Sequence, residues 1–453
     1  MSCPTFHTLT RVGVQYPHRA SPIENIPSPL TKRVRVRVPR LPRSSLPQSE
    51  GEMALDLHQA AGQIQTMATH LRQRQVDWHA RLQAGLFTLA TADATRLEAK
   101  RQASEVRWPM AGVAASLGAK LPPPPLPRAY TVIGVDGSHI DVDRHSPARC
   151  YLINIGLCQI TYGLQPDARL SSQPTLYTAA EDLVLTDPSS NLNRVPIDGS
   201  LLGLKRAVAE MEALADALEA LPGDEPALGL LDGSLILWGL AGQAQPDFAR
   251  RRILEEGLLP ALDRLQQATA SRPVAVASYI SLPGSREVVD LLRLHHCPYE
   301  PANCDLYCRQ VIPGQRGCDP VDGLLDRDLF AAHLEAGERS QVFVNHTSVV
   351  EERYGPHQVS FYYLNVGEEM GRVEVPAWVA NDPQRLALTH ALVLEQCLKG
   401  EGYPVALSES HEQAVVTGAD RAYFEQLVME ALAGEGLPES TSQKSRSKRT
   451  RWV

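Results

Sequence analysis

The tripeptide Asp-Gly-Ser occurs twice, each time at the end of an apolar run: VIGVDGSH at 132–139 and LGLLDGSL at 228–235. The pattern predicts two buried strands that each carry one carboxylate, Asp136 and Asp232, to a C-terminal tip before the chain turns on Gly-Ser. Carboxylates at neighbouring strand tips suit hard divalent cations such as Mg²⁺ and Mn²⁺, which take oxygen ligands. Two such cations can stabilise the attacking and leaving oxygens of a phosphodiester. Asp-Gly is also ordinary turn chemistry, and two surface turns would give the same tripeptides.

A third carboxylate is expected from a helix beside these strands. In LLGLKRAVAEMEALADALEAL (201–221), Leu204, Val208, Met211, Ala215 and Leu218 form one stripe. Glu212 lies beside that stripe and Glu210 points away from it, so Glu212 is the expected ligand, although a small change of helix register would substitute Glu210. The block GYPVALSESHEQAVVTGADRAYF (402–424) adds Tyr403 and His411. Pro404 to Leu407 reads as a short apolar strand that brings His411 out at its end, where an imidazole can ligate Mn²⁺ or move a proton.

Four of the eight cysteines fall within 22 residues, as Cys297-x6-Cys304-x3-Cys308-x9-Cys318, flanked by His295 and His296. Four thiolates closing one loop (295–320) suit a structural Zn²⁺ or an iron–sulfur cluster; free thiols or a redox pair are the alternative. Cys150, Cys158 and Cys397 lie in apolar segments and read as buried small hydrophobes.

The 453 residues are 43% hydrophobic and 21% charged, an ordinary soluble composition. No apolar run is long enough for a membrane span and no signal-peptide core opens the chain, so a cytoplasmic location is expected. The net charge of −8 is unevenly spread. Residues 1–52 carry eight Lys/Arg against three Glu, and 437–453 carry Lys444, Arg446, Lys448, Arg449 and Arg451 against Glu439. Basic ends on an acidic body can attach to nucleic-acid phosphates, or can be solubilising tails.

Residues 1–52 are Pro-, Ser- and Arg-rich and read as disordered, with Met53 an alternative start. A helical region spans 53–120, with one helix from about 54 to 105. A polyproline connector covers 121–129, a catalytic domain 130–433 and a basic disordered tail 434–453. Within 130–433, antiparallel strands come first and helices separate the later ones. With carboxylates at strand tips, this suggests an α/β fold: a ribonuclease-H-like mixed β-sheet flanked by helices, with an N-terminal helical extension.

The sequence resembles the NurA family of DNA-repair nucleases, which process DNA ends beside the hexameric HerA translocase. The resemblance covers roughly 130–430. It rests on VDGSH with the following YLINIG, on LLDGSL, on FYYLNVGEEMGRVEVPAW, and on GYPVALSESH with its Tyr-to-His spacing. It implies Mn²⁺-dependent DNA hydrolysis, a homodimer with a DNA channel, and a HerA-like hexameric ATPase as partner. By position, the acidic site falls on Asp136, Glu212 and Asp232, with Tyr403 and His411 nearby. The basic residue that relatives place after the middle strand has only Arg286, with Ser281 beside it, as a phosphate-contacting counterpart. Arg372 and Glu374, alternating along GRVEVPAW, either share one face near the site or form a structural cross-strand ion pair, the expected reading. A non-catalytic DNA-end-binding adaptor and an RNA-directed nuclease are the rival functions.

Overall fold

The computed structural model describes residues 57–113, 115–141, 148–241, 245–270 and 272–437. The expected basic arm 1–52 and the tail residues from 438, including Lys444, Arg446, Lys448, Arg449 and Arg451, lie outside them. The chain divides into two compact units, Met1–Thr66 and Met67–Val453. The described part of the first, from Leu57, opens a helix that runs Leu57–Thr91. A second helix follows at Ala94–Ala103, its first turn capped by the Asp93 carboxylate, which accepts from Arg96 N. The single helix expected to about 105 is therefore two.

The strands are β1 (Ala111–Val113), β2 (Lys120–Leu121), β3 (Tyr130–Ile140), β4 (Tyr151–Tyr162), β5 (Asp167–Tyr177), β6 (Val184–Asp187) and β7 (Ser190–Pro196). They continue with β8 (Ala227–Asp232), β9 (Val274–Ile280), β10 (Arg339–Ser340), β11 (Phe343–Asn345), β12 (Val359–Asn365) and β13 (Met370–Pro376). Among the described residues, eleven of them form one sheet with the path β1-β11-β12-β13-β9-β8-β3-β4-β5, while β6 and β7 make a separate hairpin. β3, β4 and β5 are an antiparallel meander, and β8 and β9 run parallel to β3. An antiparallel meander extended by two parallel strands from its first member is the ribonuclease-H-like arrangement. The sequence reading passed over β5 and the β6–β7 hairpin; β5 is almost wholly exposed and lacks the buried alternation that marks a strand.

β3 reads YTVIGVDGSHI and is buried on both faces. Ile133 and Val135 join one core with Leu214 and Leu218 of the helix Gly199–Glu219. Val132, with Leu228 and Leu230 of β8, joins another core with Ala406 and Leu407 of the helix Val405–Ala414. The segment Pro404–Leu407, expected as a strand, thus begins a helix. A four-residue apolar run has no period that separates the two states.

From Met67 on, residues of the N-terminal helices belong to the second unit. Leu82, Leu89 and Leu97 share a core with Val288, Leu291 and Leu292 of the helix Glu287–His296 and with Phe343 and Phe361 of the sheet. The proline-rich stretch 121–129 lies within that second unit.

Candidate active site

Strand register puts the two aspartates side by side. Val135 of β3 pairs in parallel with Leu231 of β8, so the next residues out, Asp136 and Asp232, leave adjacent strands at the same level. Residues alternate between faces along a strand, and both aspartates share the face of Val132, Leu228 and Leu230, the side covered by the helix Val405–Ala414.

That helix lies directly on the sheet because two glycines leave room for its backbone. A Cβ on Gly134 would stand 2.3 Å from the Ala406 carbonyl oxygen, and one on Gly156 would stand 2.1 Å from that of Ser410. Its final carbonyls, which have no partner within the helix, are satisfied from the strands. Asn154 Nδ2 donates to the oxygens of Ala414 (2.9 Å) and Gln413 (3.1 Å), and the Ser138 hydroxyl donates to that of Ala414. Ser138 and Asn154 belong to the VDGSH and YLINIG motifs, so these motifs fix the helix that carries His411. His411 Nδ1 lies 2.6 Å from Asp136 Oδ2, while the rest of the ring faces solvent. Just before the helix, the Tyr403 hydroxyl donates to Asp232 Oδ1 at 2.8 Å. Burial and the Asp232 charge both raise the Tyr403 phenol above its ordinary range, so it stays a donor.

The structure brings Glu210, and not the expected Glu212, to the two aspartates. On the helix Gly199–Glu219, residues 210, 214 and 218 lie on successive turns of one face. A Cβ on Gly229 of β8 would touch Leu214 and Leu218, so that face rests on the strand and Glu210, one turn further, reaches its tip. Glu210 comes from the face opposite to Asp136 and crosses at Gly137, where an added Cβ would stand 2.5 Å from Glu210 Oε1. The glycine of the first Asp-Gly-Ser thus admits the third carboxylate. Glu212 is exposed and sits in the field of Asp216, Arg264 and Lys205 instead. The helix buries a wider arc than the stripe read from sequence, and only packing decides which part of it meets the strand tips.

Burial pushes Glu210 up to about 8, against the pull of Arg206 and with the charges of Asp136 and Asp232 adding to the shift. Arg206 Nε stands 3.0 Å from Glu210 Oε1, yet off the line of a hydrogen bond, and both atoms are buried without a hydrogen-bond partner. Asp232 is likewise raised, first by burial and further by Asp136, while Tyr403 and the Gly233 N–H oppose the shift.

The second Asp-Gly-Ser is held differently. Glu374 Oε2 accepts from the Ser234 hydroxyl (2.8 Å) and from Leu235 N (3.0 Å), and Trp238 Nε1 donates to Ser234 Oγ at 3.1 Å. Gly233, at φ +83, donates its N–H to Tyr279 O. Arg372 pairs with Glu374 along the same strand (2.9 Å) and with Glu287 from the helix Glu287–His296. The expected Arg372–Glu374 pair is therefore within β13, not across strands, and Glu374 positions the Asp232 loop.

Arg286 is not brought to the carboxylates. Its Nη2 donates to Asp322 Oδ1 at 2.8 Å, and it lines a cavity of about 400 Å³ with Trp238, Glu287, Asp290 and Arg372. Ser281 is also turned elsewhere, donating to Glu369. Cys297, Cys304, Cys308 and Cys318 are all unbridged and lie in a separate region after the helix Glu287–His296. Among the described residues, no group of three or more His, Cys, Asp or Glu side chains is placed so that it could hold a metal ion, and no helix is long and apolar enough to cross a membrane.

The NurA domain family model matches residues 130–416, which contain every residue of the acidic cluster, Tyr403 and His411. No curated protein sequence matches the chain. Among solved structures the chain is similar to one titled "Crystal structure of NurA with manganese", at 10% identity and a TM-score of 0.33, over 71% of this chain and 92% of that one.

Proposed function

Because the chain belongs to the NurA family of nucleases, we propose that it is a metal-dependent deoxyribonuclease that hydrolyses phosphodiester bonds during DNA end processing and double-strand-break repair. The observation that supports this reading most is the state of Glu210. A desolvated carboxylate oxygen with no hydrogen-bond partner lies beside two further carboxylates, with one arginine to offset them. Such a donor set is short of positive charge and fits a hard divalent cation. Asp136, Asp232 and Glu210 would hold Mn²⁺ or Mg²⁺, whose chemistry is to make a bound water acidic and to offset charge on phosphodiester oxygens.

In this reading the remaining groups take supporting roles. Tyr403 donates to Asp232 and keeps one of its oxygens oriented. Asp136 fixes the His411 ring through Nδ1. His411 Nε2 is then the atom that can hold or deliver a proton at the mouth of the site. Ser138, Asn154 and Glu374 set the positions of these groups without being catalytic themselves.

Labelled single- and double-stranded DNA and an RNA of the same sequence, each incubated with Mn²⁺, Mg²⁺ or EDTA, test the proposal. Cleavage of DNA should need the cation and be lost in Asp136→Asn. Glu210→Gln should fall at least about 100-fold while Glu212→Gln stays within a few-fold, since only one of them meets the aspartates. Cleavage that persists in EDTA or in Asp136→Asn would refute the metal site, and a preference for RNA would refute the substrate. We also propose, from the family resemblance, a homodimer that acts with a HerA-like hexameric ATPase; light scattering that gives a monomer, alone and with the ATPase, would contradict it.

A further inference from the structure

Beyond Asp232 the row of strand tips continues into the cavity of about 400 Å³, which the acidic site leaves unused. The sheet runs β3, β8, β9, β13 in order, so Asp136 on β3 and Asp232 on β8 are followed by the end of β9. Asp232 pairs with Tyr279. Ile280, one residue further out, pairs with Arg372 of β13 and lines the cavity. Neighbouring strands lie about 4.8 Å apart, which puts the cavity on the order of 10 Å from the tip of β8. A nucleotide close to the bond being cut reaches that far.

One side of the cavity is rigid and apolar, lined by Trp238, Pro109, Pro283 and Ile280. The Trp238 indole is held in one orientation by Nε1, which donates to Ser234 Oγ at 3.1 Å, and Ser234 is held in turn by Glu374. Trp238 is nevertheless 44% exposed. An aromatic ring tied at its polar edge and left half open to solvent is a stacking platform.

The polar side carries no spare positive charge. Arg286 and Arg372 line the cavity together with Glu287, Asp290 and Glu374. Arg372 pairs with Glu287 and Glu374, and Arg286 pairs with Asp322 and Asp290. Two cations against three carboxylates disfavour a phosphate and suit an uncharged ligand. Hydrogen-bonding capacity remains. Arg372 is 2% exposed and its Nη2 lacks a hydrogen-bond partner, and Arg286 Nε is buried without one. A neutral planar ring with donors and acceptors along its edge satisfies both sides, and a nucleobase is such a ring.

We propose that this cavity receives one unstacked base of a single DNA strand, seated against the Trp238 indole, while a nearby phosphodiester lies at Asp136, Asp232 and Glu210. The place of the phosphodiester rests on the nuclease reading; the seat of the base rests on the cavity itself. Stacking tolerates any sequence because every base has a π-face, so the cavity sets the register of the strand and not a sequence preference. A base paired within a duplex is not free to enter, so single strands and frayed ends are favoured.

Two measurements on the full-length chain test this. The first is affinity in EDTA for single-stranded DNA and for a strand of the same length whose bases are all replaced by a stable abasic analogue. Trp238→Ala should weaken binding of the normal strand by roughly 5-fold or more and leave the abasic strand unchanged, with Trp238→Phe close to wild type. The second is Mn²⁺-dependent cleavage of strands that carry one abasic site at successive positions. One position, at a fixed offset from the bond cut, should slow wild type by a similar factor and Trp238→Ala not at all. If Trp238 only braced Ser234, its replacement would slow every strand equally, and that result would overturn the proposal. So would equal losses on both strands in the first measurement. Arg286→Gln that weakens both strands alike and flattens the salt dependence would give the cavity to a phosphate, and also overturn it. Should Trp238→Ala fail to fold, the wild-type scan decides: a sensitive offset supports the seat, and no such offset refutes it. Should wild type cut no DNA at all, the nuclease reading fails while the affinity ratio still decides the cavity.

Discussion

Glu210 is the residue whose state depends most on what else occupies the site. Its ordinary value is 4.5, and burial raises it to about 8 in the folded chain. Between those values the unfolded chain has lost the proton and the folded chain keeps it. Folding then takes up a proton, so stability is highest below the lower value, falls as pH rises, and is lowest above the upper one. Metal-free protein should therefore melt at a lower temperature at about pH 8.5 than at about pH 5.5, with this group contributing on the order of a few kcal/mol. Glu210→Gln should flatten that part of the profile and raise the melting point at the alkaline end. Mn²⁺ should restore stability most where Glu210 is ionised. Melting curves with and without EDTA give the answer; an unchanged profile in Glu210→Gln would show that another group carries the dependence.

The elements that position the site depend on small residues as much as on charged ones. The helix Val405–Ala414 sits close enough to hold His411 against Asp136 because Gly134 and Gly156 offer it bare backbone. Gly134→Ala should push the helix away, lowering stability by roughly 1–3 kcal/mol and reducing turnover more than substrate affinity. Gly203, within the helix Gly199–Glu219, has nothing within 4 Å of an added Cβ. Gly203→Ala should leave activity intact and stabilise by up to about 1 kcal/mol, because alanine favours the helical backbone. Thermal melts together with kcat and KM for the two variants separate these effects; equal behaviour would mean that the close approach at Gly134 does not matter.

At the scale of the whole molecule, charge is segregated. The basic residues of 437–453 balance part of an acidic body that itself presents a carboxylate cluster to a polyanion. If the tail supplies phosphate contacts, deleting 438–453 should weaken DNA binding and flatten its salt dependence by roughly 0.7–0.9 log units per lost contact. Binding isotherms at several salt concentrations measure the slope. A slope that does not change would make the tail a bystander and leave the fold's own surface to bind DNA.

Apolar runs ending in Asp-Gly-Ser determined β3, β8 and their two carboxylates, because a buried strand and its exit turn are local in sequence. The Tyr403 and His411 pair was legible from motif resemblance for the same reason: the two residues lie eight apart. What needed the tertiary structure was every choice among near-equivalent local answers. A 21-residue helix with a broad buried arc offers both Glu210 and Glu212 to a neighbour, and only the seating of Leu214 and Leu218 on Gly229 selects Glu210. The segment from Pro404 to Leu407 was too short to show a period, and in the fold it begins a helix whose backbone lies against Gly134 and Gly156. Glu374 looked like half of an ion pair, but its hold on Ser234 and Leu235 spans 139 residues or more of chain. Side chains that meet across such separations leave no spacing to read, so their pairing belongs to the fold alone.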